Sequence, residues 1–251
     1  MPTRHPRPPP MHPPFSLLWN HDRARIAGHP ALVGVDEAGR GCLAGPVYAA
    51  AVRLEPAFFA TPWERLDAPA LDDSKKLSPD DRTTAAGFVR ALADRLPLRF
   101  AVGRAEVDEI ERFDILGATV LAMGRALEDL GAPLPAPAFG GAPPDAEQLS
   151  LGADADAARP LLLVDGRPIH RLAYRHEGIV GGDGRSLSIA MASVLAKVAR
   201  DAWMEEADAA FPAYGWRTNR GYGTRGHREA IRTHGPSPLH RKRFLRNLSG
   251  G

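Results

Sequence analysis

One cysteine, Cys42, stands among 251 residues. An intrachain disulfide and a multi-cysteine zinc site are therefore excluded. No apolar run approaches the ~20 residues that a membrane-spanning helix needs, and the Pro-rich start has no apolar segment of the signal-peptide kind. These shortages lead us to expect a cytoplasmic protein with no membrane partner. Lysine is scarce too: Lys75, Lys76, Lys197 and Lys242 are the only four of 32 cationic residues. A P-loop is absent, because the turn from Gly39 to Gly45 lacks the G-K-[ST] ending that would cradle a nucleotide.

The chain is long enough for one sizeable core with a small appended region. Its 44% hydrophobic and 25% charged residues are those of a globular protein. Seven prolines fall in the first fourteen residues, so we expect residues 1–30 to form a disordered arm. The net charge of +2 is unevenly placed. Nine Arg/Lys face one acid, Glu229, from Tyr214 onward, whereas residues 33–213 hold 28 acids and 19 Arg/Lys. An acidic body with a basic end suits carboxylate metal ligands beside a phosphate-binding surface. A solvated basic tail fits the charge equally well.

The organising stretch runs from Leu32 to Pro46. An apolar run ends in two adjacent carboxylates, Asp36 and Glu37, and the glycine turn Gly39-Arg40-Gly41 follows. Crowded acids are costly unless a cation neutralises them, although a solvated acidic turn would also read this way. Leu32 to Asp36 predicts a first strand, with Pro46 to Leu54 pairing antiparallel to it. Ser78, Pro79 and Asp81 predict a capped helix start, with the helix running to about Leu96. A third strand is expected over Leu98 to Ala105, then two helical segments between Glu106 and Leu130. Gly131 to Pro160, rich in Pro, Ala and Gly, reads as a flexible insertion.

Leu161 to Asp165 is a second apolar run ending in an acid, and it predicts a buried parallel strand. Gly178 to Gly184 gives a third junction of this kind, at Asp183. In such sheets, sites form at the carboxyl ends of strands. A long helix follows, from about Ser188 to Phe211. On it Ser193, Lys197 and Asp201 form one polar stripe, readable either as site or as a solvated face; Ile189, Ala192, Ala196, Ala199 and Trp203 are expected to face the core. Tyr214 to Thr224 mixes aromatics, glycines and arginines, as suits a nucleic-acid strand. Thr224 is expected to cap a helix to about His234. His227, His234 and His240 are too dispersed for a compact metal motif and are expected at the surface or in contact with phosphate. Acids at strand ends without Cys/His partners point to hard cations such as Mg²⁺ or Mn²⁺.

Six ordered motifs carry a resemblance: Val35-Asp36-Glu37-Ala38-Gly39-Arg40-Gly41, Asp73-Ser74-Lys75-Lys76-Leu77, Val164-Asp165-Gly166, Gly182-Asp183, the run from Ser188 to Asp201, and Asn219-Arg220-Gly221-Tyr222. From about residue 32 to 244 the chain resembles ribonuclease HII. The resemblance implies an α/β, RNase H-like mixed sheet flanked by helices with a helical C-terminal extension. It divides the chain into a 1–30 arm, a 31–211 catalytic domain containing the 131–160 insertion, and a basic 212–251 region. It further implies cleavage of RNA in RNA–DNA hybrids and at ribonucleotides embedded in duplex DNA, with 3′-hydroxyl and 5′-phosphate ends, by a monomer using Mg²⁺ or Mn²⁺. By motif position, Asp36, Glu37, Asp165 and Asp183 match the catalytic and metal-binding acids. Gly39, Arg40 and Gly41 match the turn that reads the ribose 2′-hydroxyl, and Tyr222 matches the tyrosine that stacks at the RNA–DNA junction. Lys75, Ser193 and Lys197 complete the substrate-binding set. Two departures stand out: Gly181 where the family often has Lys, with Arg185 as a possible substitute, and Met191 where a smaller residue is usual. A resolvase-like DNA nuclease would share the acids without needing the glycine turn or Tyr222. A catalytically idle hybrid-binding protein would be expected to have lost one of the acids.

Overall fold

The computed structural model describes residues 15–69, 71, 77–131 and 159–246. Most of the Gly131–Pro160 segment and the Asp73–Lys76 stretch with Lys75 lie outside the described residues. Five strands form one mixed sheet: β1 (Leu32–Ala38), β2 (Val47–Leu54), β3 (Leu98–Ala105), β4 (Leu161–Asp165) and β5 (Glu177–Ile179), in the order β3-β2-β1-β4-β5. The β1–β2 and β2–β3 pairs are antiparallel, whereas β1–β4 and β4–β5 are parallel. The central position of β1, hydrogen-bonded on both edges, explains its nearly uninterrupted apolar run.

Alternation along the strands sorts the side chains into two cores. Val33, Val35, Val47, Ala49 and Ala51 pack under helix α3 (Val107–Asp129). Leu32, Ala50, Val52 and Leu163 face the other side, where α1 (Phe15–Arg25), α2 (Pro79–Ala93) and α4 (Leu187–Ala210) gather. Gly34 is required where α4 crosses β1, since a Cβ there would stand 2.4 Å from the Ser188 backbone carbon. The capping box holds: Ser78 Oγ accepts from Asp81 N at 3.1 Å while Asp81 reaches back to the Ser78 amide. The two expected segments of α3 are also found, joined at Asp114, whose φ of 63° breaks the helix. Its carboxylate restarts the second segment by accepting from Leu116 N at 2.8 Å and Gly117 N at 2.9 Å.

Several expectations fail. The disordered arm is wrong from Phe15 onward, because α1 buries Leu18 and Trp19 in the main core. Trp19 contributes rings to Phe58 and Phe59 at 5.0 and 4.9 Å, a gain of apolar contact that the Pro-rich beginning conceals. On α4, Ile189, Ala192 and Ala196 lie in the main core and Trp203 packs against the third core, as expected, whereas Ala199 is only partly covered. The helix is enclosed on nearly all sides from Leu187 to Lys197, so it has no solvated stripe there. Finally, Tyr214 and Trp216 are not offered to a ligand. They stack on each other at 5.2 Å in a third core with Leu43, Met204 and Ile231.

That third core joins the C-terminal segment to the rest. After a short helix α5 (Trp216–Asn219), Thr224 caps α6 (Arg225–His234) as expected, and α7 (Lys242–Leu245) closes the described chain. Residues of this segment fold back on the glycine turn. Leu43 N donates to Gly221 O at 2.8 Å, Gly45 N to Leu239 O at 2.9 Å, and Arg241 N to Leu43 O at 2.8 Å. His227 and His240 are buried, 0% and 2% exposed, which overturns their expected surface position.

Candidate active site

Two parallel strands end side by side. Val35 pairs with Val164, so Asp36 and Asp165 follow at adjacent carboxyl ends of β1 and β4. Strand parity puts both on the α4 side of the sheet. Asp36 is only 5% exposed. Burial raises its carboxyl well above the usual carboxylate range, and the charges of Glu37 and Asp165 raise it further. Hydrogen bonds from the Ser193 side chain and the Glu37 amide, the latter at 2.7 Å, oppose that rise. A buried carboxylate pressed by two others is the electrostatic signature of a place for a cation.

Asp183 comes from a single 3-10 turn, Gly182–Gly184, after β5. The expectation of an acid at a third strand end is corrected here. Gly181 takes the left-handed conformation with φ 66°, and Gly182 N donates to Asp165 Oδ1 at 2.7 Å. That bond ties the turn carrying Asp183 to the end of β4, and Asp183 is buried. Glu37 is placed differently. β1 continues through Ala38, so the chain turns two residues later than a shared face with Asp36 would need. Glu37 sits at the rim and accepts from Arg40 Nη1 at 3.0 Å.

The donor set is oxygen-only, which suits a hard divalent cation. Among the described residues no group of three or more Asp, Glu, His or Cys is drawn together tightly enough to cage an ion. The fit therefore rests on Asp36 and Asp165 at adjacent strand positions, with the Asp165 charge disfavouring that of the buried Asp36.

The remaining sequence-derived residues divide into two sets. Ser193 is buried and bonds to Asp36. Lys197 pairs with Asp201, and its ammonium is 5.9 Å from the centre of the Tyr222 ring. Burial lowers the Lys197 pKa, and Asp201 works against that fall. Tyr222 is 37% exposed, and burial together with the neighbouring Cys42 thiol raises its hydroxyl pKa. Gly39 has φ 96°, and a Cβ there would fall 2.0 Å from Arg200 Nε. Gly41 opens outward, since an added Cβ would meet nothing within 4 Å. Arg185 is held to the Val180 carbonyl at 3.4 Å, and Met191 is fully buried.

Two residues escaped the sequence reading. Arg200 and Arg241 are both 0% exposed, yet no ion pair among the described residues involves either. Arg200 donates to the carbonyls of Ala44, Pro46 and Arg220 at 3.1, 3.1 and 2.9 Å. Arg241 donates to those of Arg40, Gly45 and Pro46 at 3.1, 2.8 and 3.1 Å. Burial pulls the Arg241 pKa down to about 10. A faint signal existed for Arg200, which lies four residues after Ala196 and four before Met204 on a buried stripe. None existed for Arg241.

A family model described as Ribonuclease HII matches residues 33–139 and 162–247. The chain belongs to the ribonuclease HII family. It is 42% identical over 229 residues to the ribonuclease HII of Cereibacter sphaeroides, covering 90% of each chain. It is likewise 42% identical over 229 residues to that of Syntrophotalea carbinolica, covering 91% of this chain and 92% of the relative. Among solved structures, the ribonuclease HII of Archaeoglobus fulgidus, in a complex with PCNA, superposes with a TM-score of 0.60 at 21% identity, covering 87% of this chain and 97% of that one. The Mn²⁺ complex of Bst-RNase HIII gives 0.56 at 18% identity, covering 85% and 65%. These likenesses establish the RNase H-like fold. The protein is a ribonuclease H, an endoribonuclease acting on RNA paired with DNA, of a family that depends on divalent metal. The family match breaks between 139 and 162, within the segment read as an insertion. No helix among the described residues is long and apolar enough to cross a membrane.

Proposed function

We propose that this ribonuclease HII cuts both the RNA strand of RNA–DNA hybrids and duplex DNA at single embedded ribonucleotides. In this reading Asp36, Glu37, Asp165 and Asp183 hold two hard divalent cations, Mg²⁺ or Mn²⁺. Bound ions of this kind supply positive charge to the attacking and leaving oxygens of an in-line phosphoryl displacement. The observation that carries the reading is the buried Asp36 beside Asp165 across the β1–β4 pair, where burial and the charges of Glu37 and Asp165 raise the cost of ionising Asp36.

The chain's own groups divide the work. Ser193 and the Glu37 amide orient Asp36 and favour its charged form. The Gly182 amide orients the Asp165 carboxylate. Glu37 must leave Arg40 to join the acids, which frees the exposed Arg40 guanidinium for a phosphate. Gly41 lets backbone approach the ribose, and the 2′-hydroxyl is the feature that separates RNA from DNA at one position. Tyr222 offers a half-exposed ring beside Lys197 and Arg200, each 5.9 Å from its centre, suited to a nucleotide next to its phosphate. In the hydrolysis, water oxygen bonds to phosphorus as the P–O3′ bond breaks, and the leaving O3′ takes up a proton.

The test is a duplex carrying one ribonucleotide, incubated with and without Mg²⁺, with the ends of the products determined. Metal-dependent incision leaving 3′-hydroxyl and 5′-phosphate ends is expected. Cleavage of an all-DNA branched or nicked duplex at a comparable rate would favour a structure-selective DNA nuclease instead.

A further inference from the structure

Two buried guanidiniums without a carboxylate are costly, and both donate to the carbonyls of one short loop, Arg241 to residues 40, 45 and 46 and Arg200 to 44 and 46, with a further bond from Arg200 to Arg220. The shape of that loop beyond Leu43 is already held by backbone bonds to Gly221, Leu239 and Arg241. What the side chain of Arg241 adds lies at the glycine element itself: its Nη1 donates to the Arg40 carbonyl at 3.1 Å. In a trans peptide the carbonyl oxygen and the next amide hydrogen point in opposite directions. With the Arg40 carbonyl drawn inward onto Arg241, the Gly41 N–H points outward. A Cβ at Gly41 would meet no atom within 4 Å, and among the described residues the Gly41 amide has no backbone acceptor. Arg200 lies against the start of the turn, where a Cβ at Gly39 would fall 2.0 Å from its Nε.

We propose that Arg241 is a positioning residue for ribonucleotide selection: by holding the Arg40 carbonyl inward, it aims the Gly41 N–H at the ribose 2′-hydroxyl. The proposal rests on the reading of Gly39-Arg40-Gly41 as the ribose-contacting turn. Lysine cannot replace arginine in this role. A single ammonium lacks the planar fork that reaches residues 40, 45 and 46 at once. Phe244 supports the arrangement with its ring 5.4 Å from the Arg241 guanidinium.

The experiment compares dissociation constants for an all-DNA duplex and the same duplex with one ribonucleotide, with Ca²⁺ replacing Mg²⁺ to keep bound duplex intact. Wild type, R241K, F244L and G41A are measured, each with a melting curve. Wild type should prefer the ribonucleotide by about tenfold, the worth of one well-placed hydrogen bond. R241K should lose most of that preference while binding all-DNA duplex as wild type does. F244L, which leaves the arginine in place but unsupported, should lose part of it and carries the test if R241K does not fold. A wild-type preference near one, or a G41A protein that keeps the full preference, overturns the reading of the turn. A wild-type preference that survives in folded R241K and in F244L overturns the role of Arg241. Equal weakening on both duplexes overturns it as well.

Discussion

The Asp22 carboxylate accepts the Ser188 amide at 2.8 Å and the Ser186 hydroxyl at 3.1 Å. A helix that precedes the family-matched region thus caps the helix that carries Ser193 and Lys197. A fully buried carboxylate at a helix N-terminus satisfies otherwise orphaned N–H groups and meets the positive end of the helix dipole. Asp22→Ala should cost about 2 kcal/mol, the range for charged hydrogen bonds and caps. In a protein of this size that lowers Tm by roughly 4–8 °C. Thermal unfolding followed by circular dichroism checks the shift. An unchanged Tm would mean that α1 merely rests on the core.

His227 and His240 meet through their Nε2 atoms at 3.1 Å in the third core. Trp216 Nε1 donates to His227 Nε2 at 3.0 Å, leaving Nδ1–H of His227 to donate to the Tyr222 carbonyl at 2.9 Å. Ser237 N donates to His240 Nδ1 at 2.9 Å. Every ring nitrogen is therefore committed with both imidazoles neutral. Burial and His227 hold the His240 pKa down at about 4, below its ordinary 6.5, and burial lowers that of His227 too. The unfolded chain thus binds more protons between these values. Stability is full above pH 6.5 and falls as pH drops toward 4, by up to roughly 3 kcal/mol for His240 alone. Urea midpoints taken from pH 7.5 to 4.5 should fall less steeply for H240Q than for wild type, although H240Q starts lower. Parallel curves would remove the histidine pair as the cause.

Tyr222→Ala should slow incision at a single ribonucleotide more than cleavage of a uniform hybrid. Stacking on one aromatic ring is worth about 1–3 kcal/mol, so the first substrate should lose roughly tenfold or more in kcat/KM. A uniform hybrid offers many registers and depends less on that contact. Tyr222→Phe keeps the ring, loses only the hydroxyl, and should stay near wild type on both duplexes. Equal losses for Y222A on the two substrates, together with a lower Tm, would make Tyr222 a packing residue.

The features legible in the sequence were those with local causes. Apolar runs leading into Asp36 and Asp165 announced two neighbouring strands, although β1 runs on past Asp36 to Ala38. Ser78, Pro79 and Asp81 announced a helix start, because a capping box is built within three residues. What stayed hidden depends on partners far along the chain. Arg200 bonds to Pro46 across 154 residues, and Arg241 to Arg40 across 201. Both lean on carbonyl oxygens, which every residue possesses and which no pattern therefore marks. Asp22 was masked by the proline-rich residues before it, and its acceptor role appears only with Ser186 and Ser188 beside it. Tyr214 and Trp216 misled for a related reason: aromatics among glycines and arginines suit a nucleic acid and a small core equally well.

The pairing of Asp36 with Asp165 as the metal-dependent centre is tested most directly by Asp165→Asn, assayed with Mg²⁺ on a duplex containing one ribonucleotide. The substitution removes a charge at nearly constant volume and keeps an oxygen for the Gly182 amide. It also relieves the repulsion on Asp36, so the protein should melt at or above the wild-type temperature. Hybrid binding should persist through the basic C-terminal segment, while kcat/KM falls by a factor on the order of a thousand or more, as expected when charge stabilisation at the reacting phosphate is lost. A folded D165N protein that cleaves at near the wild-type rate would contradict the assignment.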